Sequence, residues 1–234
     1  MKKESKTLDI KELGEFGLIE RISKKIKTYK KSTILGPGDD GAVIKLPEHT
    51  VISTDMLVEG IHFDMTFTPL KHLGYKAVVI NLSDIYAMNA EAQKITVSLA
   101  ISSKYTLEAI DELYDGILLA CHKYKIDIIG GDITSCTSGL TISITSIGNC
   151  SKKNITYRNG AKENDLLVVT GDLGGAYMGL TILQREKEVW KSNPNMQPDL
   201  DNFNYILERQ LKPEARKDVI KFLKEINVKP TSMI

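Results

Sequence analysis

An α+β fold is predicted by two kinds of hydrophobic pattern in this 234-residue chain. Apolar residues at helical spacing mark amphipathic helices, as over residues 107–121. Strict alternation of apolar and polar residues marks strands with one buried face, as over 95–101 and 140–148. A polar stretch rich in Lys, Asn and Ser at 149–165 then predicts a boundary between a first domain (1–150) and a second (151–234).

Composition excludes several classes of protein. Lysine plus arginine (31) nearly balances aspartate plus glutamate (30), so bulk charge gives no indication of nucleic-acid or membrane-surface binding. The three cysteines are widely spaced and form no metal-binding pattern, which is typical of free thiols in a reducing compartment. Neither a secretory signal nor an apolar run of membrane-spanning length is present in the sequence, so we expect a cytoplasmic globular protein.

The remaining elements follow the same patterns. Helical spacing predicts a helix near 12–29 and another that starts at Pro69. A short apolar strand at 126–129 ends in Gly130-Gly131-Asp132, and a second apolar run, 166–170, is predicted to be a buried strand. Helices are predicted after the glycine turn 171–175 and near 203–211 and 213–226.

The stretch from Gly36 to Asp55 is the most informative part of the sequence. It contains a glycine-rich acidic loop with Asp39 and Asp40, followed by two short strands, the second ending in Ser53-Thr54-Asp55. Adjacent carboxylates repel one another unless a cation lies between them, and oxygen ligands suit Mg²⁺ better than Zn²⁺. An ordinary Asp-rich turn is the alternative interpretation of the loop alone.

Further acids lie at comparable positions. Asp84 shares one side of a predicted helix with Asn81, inside an otherwise apolar segment, and Asp132 follows two glycines at a predicted strand end. A buried Asp that caps a loop and a simple strand-ending turn are the respective alternatives. If Asp40, Asp55, Asp84 and Asp132 share one cleft, several divalent cations are needed, and such a site suits phosphoryl transfer.

Three other residues have both a functional and a structural interpretation. His62 lies in a loop seven residues past Asp55 and either faces a substrate or is an ordinary surface residue. Tyr114 on the helix 107–121 is favoured as a core residue. Arg158 is either a solvated linker charge or a phosphate clamp. The glycine cluster 171–175 resembles a phosphate cradle but lacks the Lys-Ser/Thr of a P-loop, and close helix–strand packing explains it equally well.

Several motifs, in order and spacing, resemble the thiamine-monophosphate kinase family over nearly the whole chain. They are Gly14 to Ile19, Gly36-Pro37-Gly38-Asp39-Asp40-Gly41-Ala42, Ser53-Thr54-Asp55 with His62-Phe63, Tyr75-Lys76-Ala77 through Asp84, Ile129 to Asp132 and Thr170 to Gly175. The wider superfamily includes aminoimidazole ribonucleotide synthetase and selenophosphate synthetase. The resemblance implies a two-domain fold in which the first domain has a mixed sheet with flanking helices and joins its mate's sheet in a homodimer.

The resemblance also implies roles for residues. Magnesium ligands are implied at Asp40, Ser53, Thr54, Asp55, Asp84 and Asp132, of which Asp55, Asp84 and Asp132 are the implied catalytic set. ATP contacts are implied for Gly131, Asp132, Arg158 and Tyr114, and His62 is implied to touch thiamine monophosphate. The implied reaction transfers the γ-phosphoryl group of ATP directly to thiamine monophosphate. Because the acceptor oxygen is already ionised, no dedicated general base is required.

One departure from the family pattern bears on activity. The family has an Asp-x-Ser-Asp-Gly motif after a segment like Thr231-Ser232-Met233, whereas this sequence stops at Ile234. We therefore expect an incomplete second domain and severely reduced or no kinase activity. The rival hypotheses are another ATP-using member of the superfamily and a non-catalytic, nucleotide-binding dimerisation fragment.

Overall fold

A computed structural model of the protein describes residues 10–37, 41–47 and 49–234. The helices are α1 (Ile10–Ser23), α2 (Leu70–Ala87), α3 (Leu107–Tyr124), α4 (Gly175–Ser192), α5 (Asn204–Leu211) and α6 (Lys217–Glu225). The strands are β1 (Thr33–Leu35), β2 (Val43–Ile44), β3 (Thr50–Val58), β4 (Glu91–Ile101), β5 (Asp127–Ser135) and β6 (Leu140–Asn149). The order of these elements confirms the α+β class.

The main core is built on a mixed four-stranded sheet with strand order β3-β6-β4-β5. Strand β6 pairs antiparallel with both β3 and β4, whereas β4 and β5 are parallel, so β3 and β5 form the two edges. Helices α2 and α3 cover one face of this sheet, which we call the helix face. We call the other face the open face; its side chains along β3 include the exposed Ile52 and Met56.

Alternation along the strands decides which residues face the helices. In β6, Leu140, Ile142 and Ile144 are each 1% exposed, while the residues between them are half-buried. Their partners in β4 continue the buried rows, because residues opposite one another in a ladder share a face. The predicted strands at 95–101 and 140–148 are confirmed.

Helices α2 and α3 approach each other through two glycines. A Cβ on Gly74 would lie 2.0 Å from the backbone oxygen of Leu113, and one on Gly116 would lie 1.9 Å from that of Lys71. No other residue type fits at either crossing point without moving a backbone. This close contact fixes α2, which carries Asp84, against α3.

Two predicted boundaries were wrong. The first helix ends at Ser23 instead of near residue 29, and Gly14 interrupts it with φ 67°; the side chain of Phe16 lies outside the described part. The strand predicted at 126–129 continues to Ser135, so Gly130, Gly131 and Asp132 lie inside β5 instead of at its end. Pairing with β4 supplies the backbone hydrogen bonds that carry the strand through its two glycines.

The predicted buried strand at 166–170 is absent. Leu166 and Leu167 are 92% and 94% exposed, and residues 165–170 have no strand pairing. An apolar run becomes a strand only where a neighbouring strand accepts its backbone hydrogen bonds, and the described residues offer none here.

The region after residue 150 packs in two ways. Helices α4 and α5 pack together around Ile182, Leu183 and Leu207 as a small separate core. The segment around α6 joins the main core through Ala215 and Ile220. Within the described ranges, no helix has the length and apolar character needed to cross a lipid bilayer.

A cluster of polar side chains around Glu214 holds the segment around α6 against the main core. The Glu214 carboxylate accepts hydrogen bonds from the hydroxyls of Tyr75 (3.1 Å) and Tyr124 (2.8 Å) and pairs with the Lys123 ammonium. Burial alone raises the pKa of such a carboxyl, but these three donors together lower the pKa of Glu214. No local sequence pattern marks Glu214, because its donors come from distant helices.

Candidate functional site

Three of the predicted ligand residues meet where β3 packs on α2. The Ser53 hydroxyl donates a hydrogen bond of 2.7 Å to Oδ2 of Asp84. Asp55, two residues along the same strand, has its side chain on the same face of the sheet as Ser53. We call Ser53, Asp55 and Asp84 the carboxylate cluster.

The two carboxylates of the cluster repel each other. Burial, followed by the charge of Asp84, raises the pKa of Asp55, and His62 partly offsets this effect. Asp84 is exposed in α2, so the alternative in which it is a buried loop-capping residue is wrong. A hydroxyl and two neighbouring carboxylates are a donor set that suits a hard, oxygen-preferring cation such as Mg²⁺.

Asn81 sets the distance between the strand and the helix. Its side chain is 1% exposed; its Nδ2 donates to the backbone oxygen of Ala77 (2.9 Å), and its Oδ1 accepts from the backbone N–H of Asp55 (3.0 Å). The buried polar residue in this apolar helix is thus paired, as its cost of burial requires. It holds the backbone of Asp55 beside the turn of α2 that carries Asp84.

A cavity of about 460 Å³ opens on one side of the carboxylate cluster. Its walls include Ser53, Asp84 and the exposed Arg158, and we call it the Arg158 cavity. The segment that carries Arg158 is held by Ser232, whose hydroxyl donates to the backbone oxygen of Arg158 (2.6 Å). A guanidinium and two carboxylate-cluster residues therefore face one space.

A second cavity, of about 450 Å³, lies toward the other end of α2, and we call it the His62 cavity. It is lined by His62, Lys76 and apolar side chains that include Phe63, Phe67 and Leu57. Nδ1 of His62 accepts a hydrogen bond of 3.1 Å from the backbone N–H of Val58. In the neutral imidazole the proton is therefore on Nε2, which is left as a donor.

The charges on the wall of the His62 cavity are mostly paired. Lys187 of α4 pairs with Asp64. Burial opposes ionisation of Asp64, but Lys187 and the backbone N–H of Thr66 outweigh it and lower the pKa of Asp64 to about 2. Glu188 pairs with Lys191 at 2.8 Å. Lys76, which also lines this cavity, is not part of these ion pairs.

The structure does not bring Thr54 and Asp132 to the carboxylate cluster. Thr54 donates to the backbone oxygen of Ile144 (3.1 Å) and its side chain lies on the open face. Asp132 lies on β5, the opposite edge strand, where it pairs in register with Ser98 of β4. Its side chain is also on the open face. Strand β5 is three strand spacings, or roughly 14 Å, from β3. The expectation that Asp132 shares one cleft with Asp55 and Asp84 within a single chain is therefore wrong, and metal binding by Thr54 and Asp132 stays a prediction.

Tyr114 and Gly131 have structural explanations. Tyr114 is 4% exposed in the core between α3 and its neighbours, and burial raises its pKa, so it offers no surface to a nucleotide in this chain. A Cβ on Gly131 would lie 1.8 Å from the backbone oxygen of Val97, whereas one on Gly130 meets nothing within 4 Å. The close approach of β4 and β5 is by itself sufficient to require glycine at position 131.

The glycine turn at 171–175 already has an internal acceptor. Oδ1 of Asp172 accepts from the backbone N–H of Gly175 (3.1 Å) at the start of α4, and Tyr205 donates to the same carboxylate. A hydrogen bond from Tyr205 is the main cause that lowers the pKa of Asp172. Since a carboxylate occupies the helix N-terminus, the phosphate-cradle interpretation is not supported here.

Asp39 and Asp40 lie outside the described residues. Within the parts of the chain that the structure describes, no three His, Cys, Asp or Glu side chains are grouped as a complete metal site. The carboxylate cluster supplies two carboxylates and one hydroxyl, which Mg²⁺ can use together with waters and ligand phosphates. The residues therefore fit part of a magnesium site.

Comparisons with known proteins identify relatives of this chain. Residues 38–150 match the family model described as AIR synthase related protein, N-terminal domain. A thiamine-monophosphate kinase from Buchnera aphidicola subsp. Schizaphis graminum is 39% identical over 88% of this chain and 60% of its own length. The chain is therefore similar to thiamine-monophosphate kinases over most of its own length.

Solved structures of this family share the fold. The thiamine-monophosphate kinase of Stenotrophomonas maltophilia K279a has a TM-score of 0.74 and 27% identity, covering 89% of this chain and 64% of that one. AaThiL complexed with AMPPCP and TMP has a TM-score of 0.66 and 31% identity, covering 94% and 66%. The chain thus spans about 60% of the length of the curated thiamine-monophosphate kinases that it matches.

Proposed function

We propose that the protein acts in the ATP-dependent phosphorylation of thiamine monophosphate to thiamine diphosphate, in the cytoplasm and with Mg²⁺. The observation that carries this proposal is the position of the carboxylate cluster between two cavities. The relatives named above are thiamine-monophosphate kinases, and one solved relative is complexed with AMPPCP and TMP.

The two cavities suit the two substrates. Asp84 lies two turns of α2 beyond Lys76, a rise of roughly 12 Å. The Arg158 cavity, with its guanidinium, is assigned to the nucleotide phosphates, because the fork of donors in arginine fits phosphate oxygens. The His62 cavity, with its aromatic walls, is assigned to the acceptor. The carboxylate cluster then lies where the two phosphates meet.

The reaction needs little covalent participation from the protein. An oxygen of the acceptor phosphate forms a bond to the γ-phosphorus while the bond from that phosphorus to its bridging oxygen breaks, and ADP leaves. Ser53, Asp55 and Asp84 would hold Mg²⁺, which would supply charge neutralisation and alignment of the phosphates when bound. Arg158 orients nucleotide phosphates, and the Nε2–H of His62 donates to the acceptor.

Magnesium-dependent nucleotide binding is the first test. Calorimetry of the 234-residue chain with AMPPCP should show binding that requires Mg²⁺, and Arg158→Ala should weaken it about 10-fold or more through the lost charged hydrogen bonds. Arg216→Ala, which removes an exposed arginine near α6, serves as the matched control. Nucleotide binding that is equally strong with EDTA, or that ignores Arg158, would contradict the proposal.

Turnover separates the rival functions. Release of ADP with thiamine monophosphate, but not with other phosphate or carboxylate acceptors, supports the thiamine kinase over another ATP-using member of the superfamily. Magnesium-dependent binding with no ADP release supports the non-catalytic, nucleotide-binding dimerisation module instead.

We also propose that the protein is a homodimer in which a second copy covers the open face. Edge strand β3 exposes Ile52 (63%) and Met56 (56%) on that face, and its outer edge has no partner strand among the described residues. A dimer also offers a way to bring Asp132 of one copy toward the β3 edge of the other.

The dimer predicts a specific effect of Met56→Glu. A charge buried against a second copy is costly, so the variant should be monomeric in sedimentation equilibrium at concentrations where the wild type is dimeric. Met178→Glu, on the exposed side of α4, is the control and should leave the mass unchanged. A monomeric wild type, or a dimeric Met56→Glu variant, would exclude this interface.

A further inference from the structure

Lys76 is the unusual charge of the His62 cavity. It lies on α2 between Tyr75 and Ala77, both buried, and is itself half-buried. Its ammonium donates to the backbone oxygen of Gln210 (2.9 Å), near the C-terminal end of α5. In the described ranges of the chain, no carboxylate oxygen comes within 4.0 Å of it, so no acid pairs with it.

The neighbouring carboxylates are already paired with other lysines. Asp64 pairs with Lys187, and Glu188 pairs with Lys191, although both acids line the same cavity. Burial lowers the pKa of Lys76, which shows that its surroundings do not compensate its charge. One backbone carbonyl satisfies one of the three ammonium N–H groups, and the other two have no hydrogen-bond partner among the described residues.

We propose that Lys76 anchors the phosphate group of the acceptor in the His62 cavity. This inference rests on the proposed function, since it assigns a residue to the acceptor end of that site. A phosphate monoester brings an unpaired negative charge, whereas Asp64 and Glu188 on the cavity wall are already paired, and its oxygens accept from both Lys76 and Nε2 of His62. The apolar side chains of Phe63 and Phe67 then contact the organic part of the ligand.

A purely structural role for Lys76 makes a different prediction. If the ammonium only caps the end of α5 through Gln210, its loss weakens the packing of α5 and affects every ligand of the cavity equally. If it anchors a phosphate, its loss affects only ligands that carry one. The ratio of the affinities for thiamine monophosphate and thiamine therefore distinguishes the two roles.

The experiment compares the two ligands on Lys76→Met, Lys76→Arg and the wild type by isothermal titration calorimetry with Mg²⁺. Lys76→Met keeps the apolar stem but removes the charge, and it should lose about 10- to 100-fold in affinity for thiamine monophosphate with thiamine affinity unchanged. Lys76→Arg should keep most of the preference. Lys71→Met, an exposed lysine on the same helix, should match the wild type.

The outcomes separate this inference from the proposed function. A wild type that prefers thiamine monophosphate, with a Lys76→Met variant that keeps the preference or loses both ligands equally, overturns the anchoring role alone. A wild type without any preference for the phosphorylated ligand overturns both. If Lys76→Met fails to unfold cooperatively, Lys76→Gln, which can still donate to Gln210, replaces it in the same comparison.

Discussion

Asp55→Asn should raise the thermal midpoint of the metal-free chain and abolish its stabilisation by Mg²⁺. The pKa of Asp55 is raised by burial and by Asp84, so its ionised form destabilises the folded state at neutral pH. Removing that charge should raise the midpoint by on the order of 1–3 °C for a chain of this size. Wild type at ten times the dissociation constant of Mg²⁺ should gain about 1.4 kcal/mol, and the variant none.

The pH dependence of this effect has a definite sign. A carboxyl whose pKa is raised by folding destabilises the folded state above that pKa, and protonation removes the penalty as the pH falls. The midpoints of Asp55→Asn and wild type should therefore differ at pH 7 and converge as the pH falls through the raised pKa of Asp55. Differential scanning fluorimetry from pH 7 to pH 3.5, with and without Mg²⁺, measures both effects.

An exposed carboxylate away from the cluster is the control. Asp201→Asn, in the turn before α5, should change neither the metal-free midpoint nor the response to Mg²⁺. If Asp55→Asn lowers the midpoint without metal, or still responds to Mg²⁺ as the wild type does, the cluster is not the cation site.

The local hydrophobic pattern was sufficient to predict the helix that carries Asp84. Asp84 was placed correctly on a helix, since helical spacing from Leu70 onward is unbroken and Asn81 marks the same side. Asp55 was placed at the end of a strand that in fact continues to Val58. Contact between Asp55 and Asp84 depends on β3 packing antiparallel to α2. Sequence spacing could not predict this packing, whereas the family resemblance implied that both residues bind magnesium.

The errors arose where tertiary contacts decide the outcome. Gly130-Gly131 looked like the end of a strand, but pairing with β4 continues β5 past both glycines and turns Asp132 to the open face. For Tyr114, helical spacing favoured the core, where it lies, and the ATP contact that the resemblance implied stays a prediction. For Leu166 and Leu167, hydrophobicity predicted burial, but burial requires a partner element that the described residues lack.

The role of Lys76 could have been noticed from sequence. It is the one charge in the apolar run from Leu73 to Ile80, and a charge in such a run is costly unless something compensates it. Its partner, the backbone oxygen of Gln210, comes from a helix 134 residues later, so only the structure shows that its charge is left unpaired by acids.

Gly131→Ala should destabilise the protein strongly, while Gly130→Ala should be almost neutral. A Cβ at position 131 would lie 1.8 Å from the oxygen of Val97, so β4 and β5 must separate or bend, whereas position 130 has open space around its Cβ. Forcing a methyl into such a contact costs about 1–3 kcal/mol or more. Urea unfolding of both variants and the wild type measures the difference directly.

The same pair of variants decides between the two interpretations of this glycine pair. If the glycines serve only to let nucleotide phosphates approach the backbone, both substitutions should weaken AMPPCP binding and leave the unfolding midpoint in urea unchanged. If strand packing requires Gly131, the loss of stability should be confined to that variant, and any loss of nucleotide affinity should follow its unfolding. Equal stability of Gly130→Ala and Gly131→Ala would show that β5 can yield at Val97, and the structural explanation of Gly131 would then be wrong.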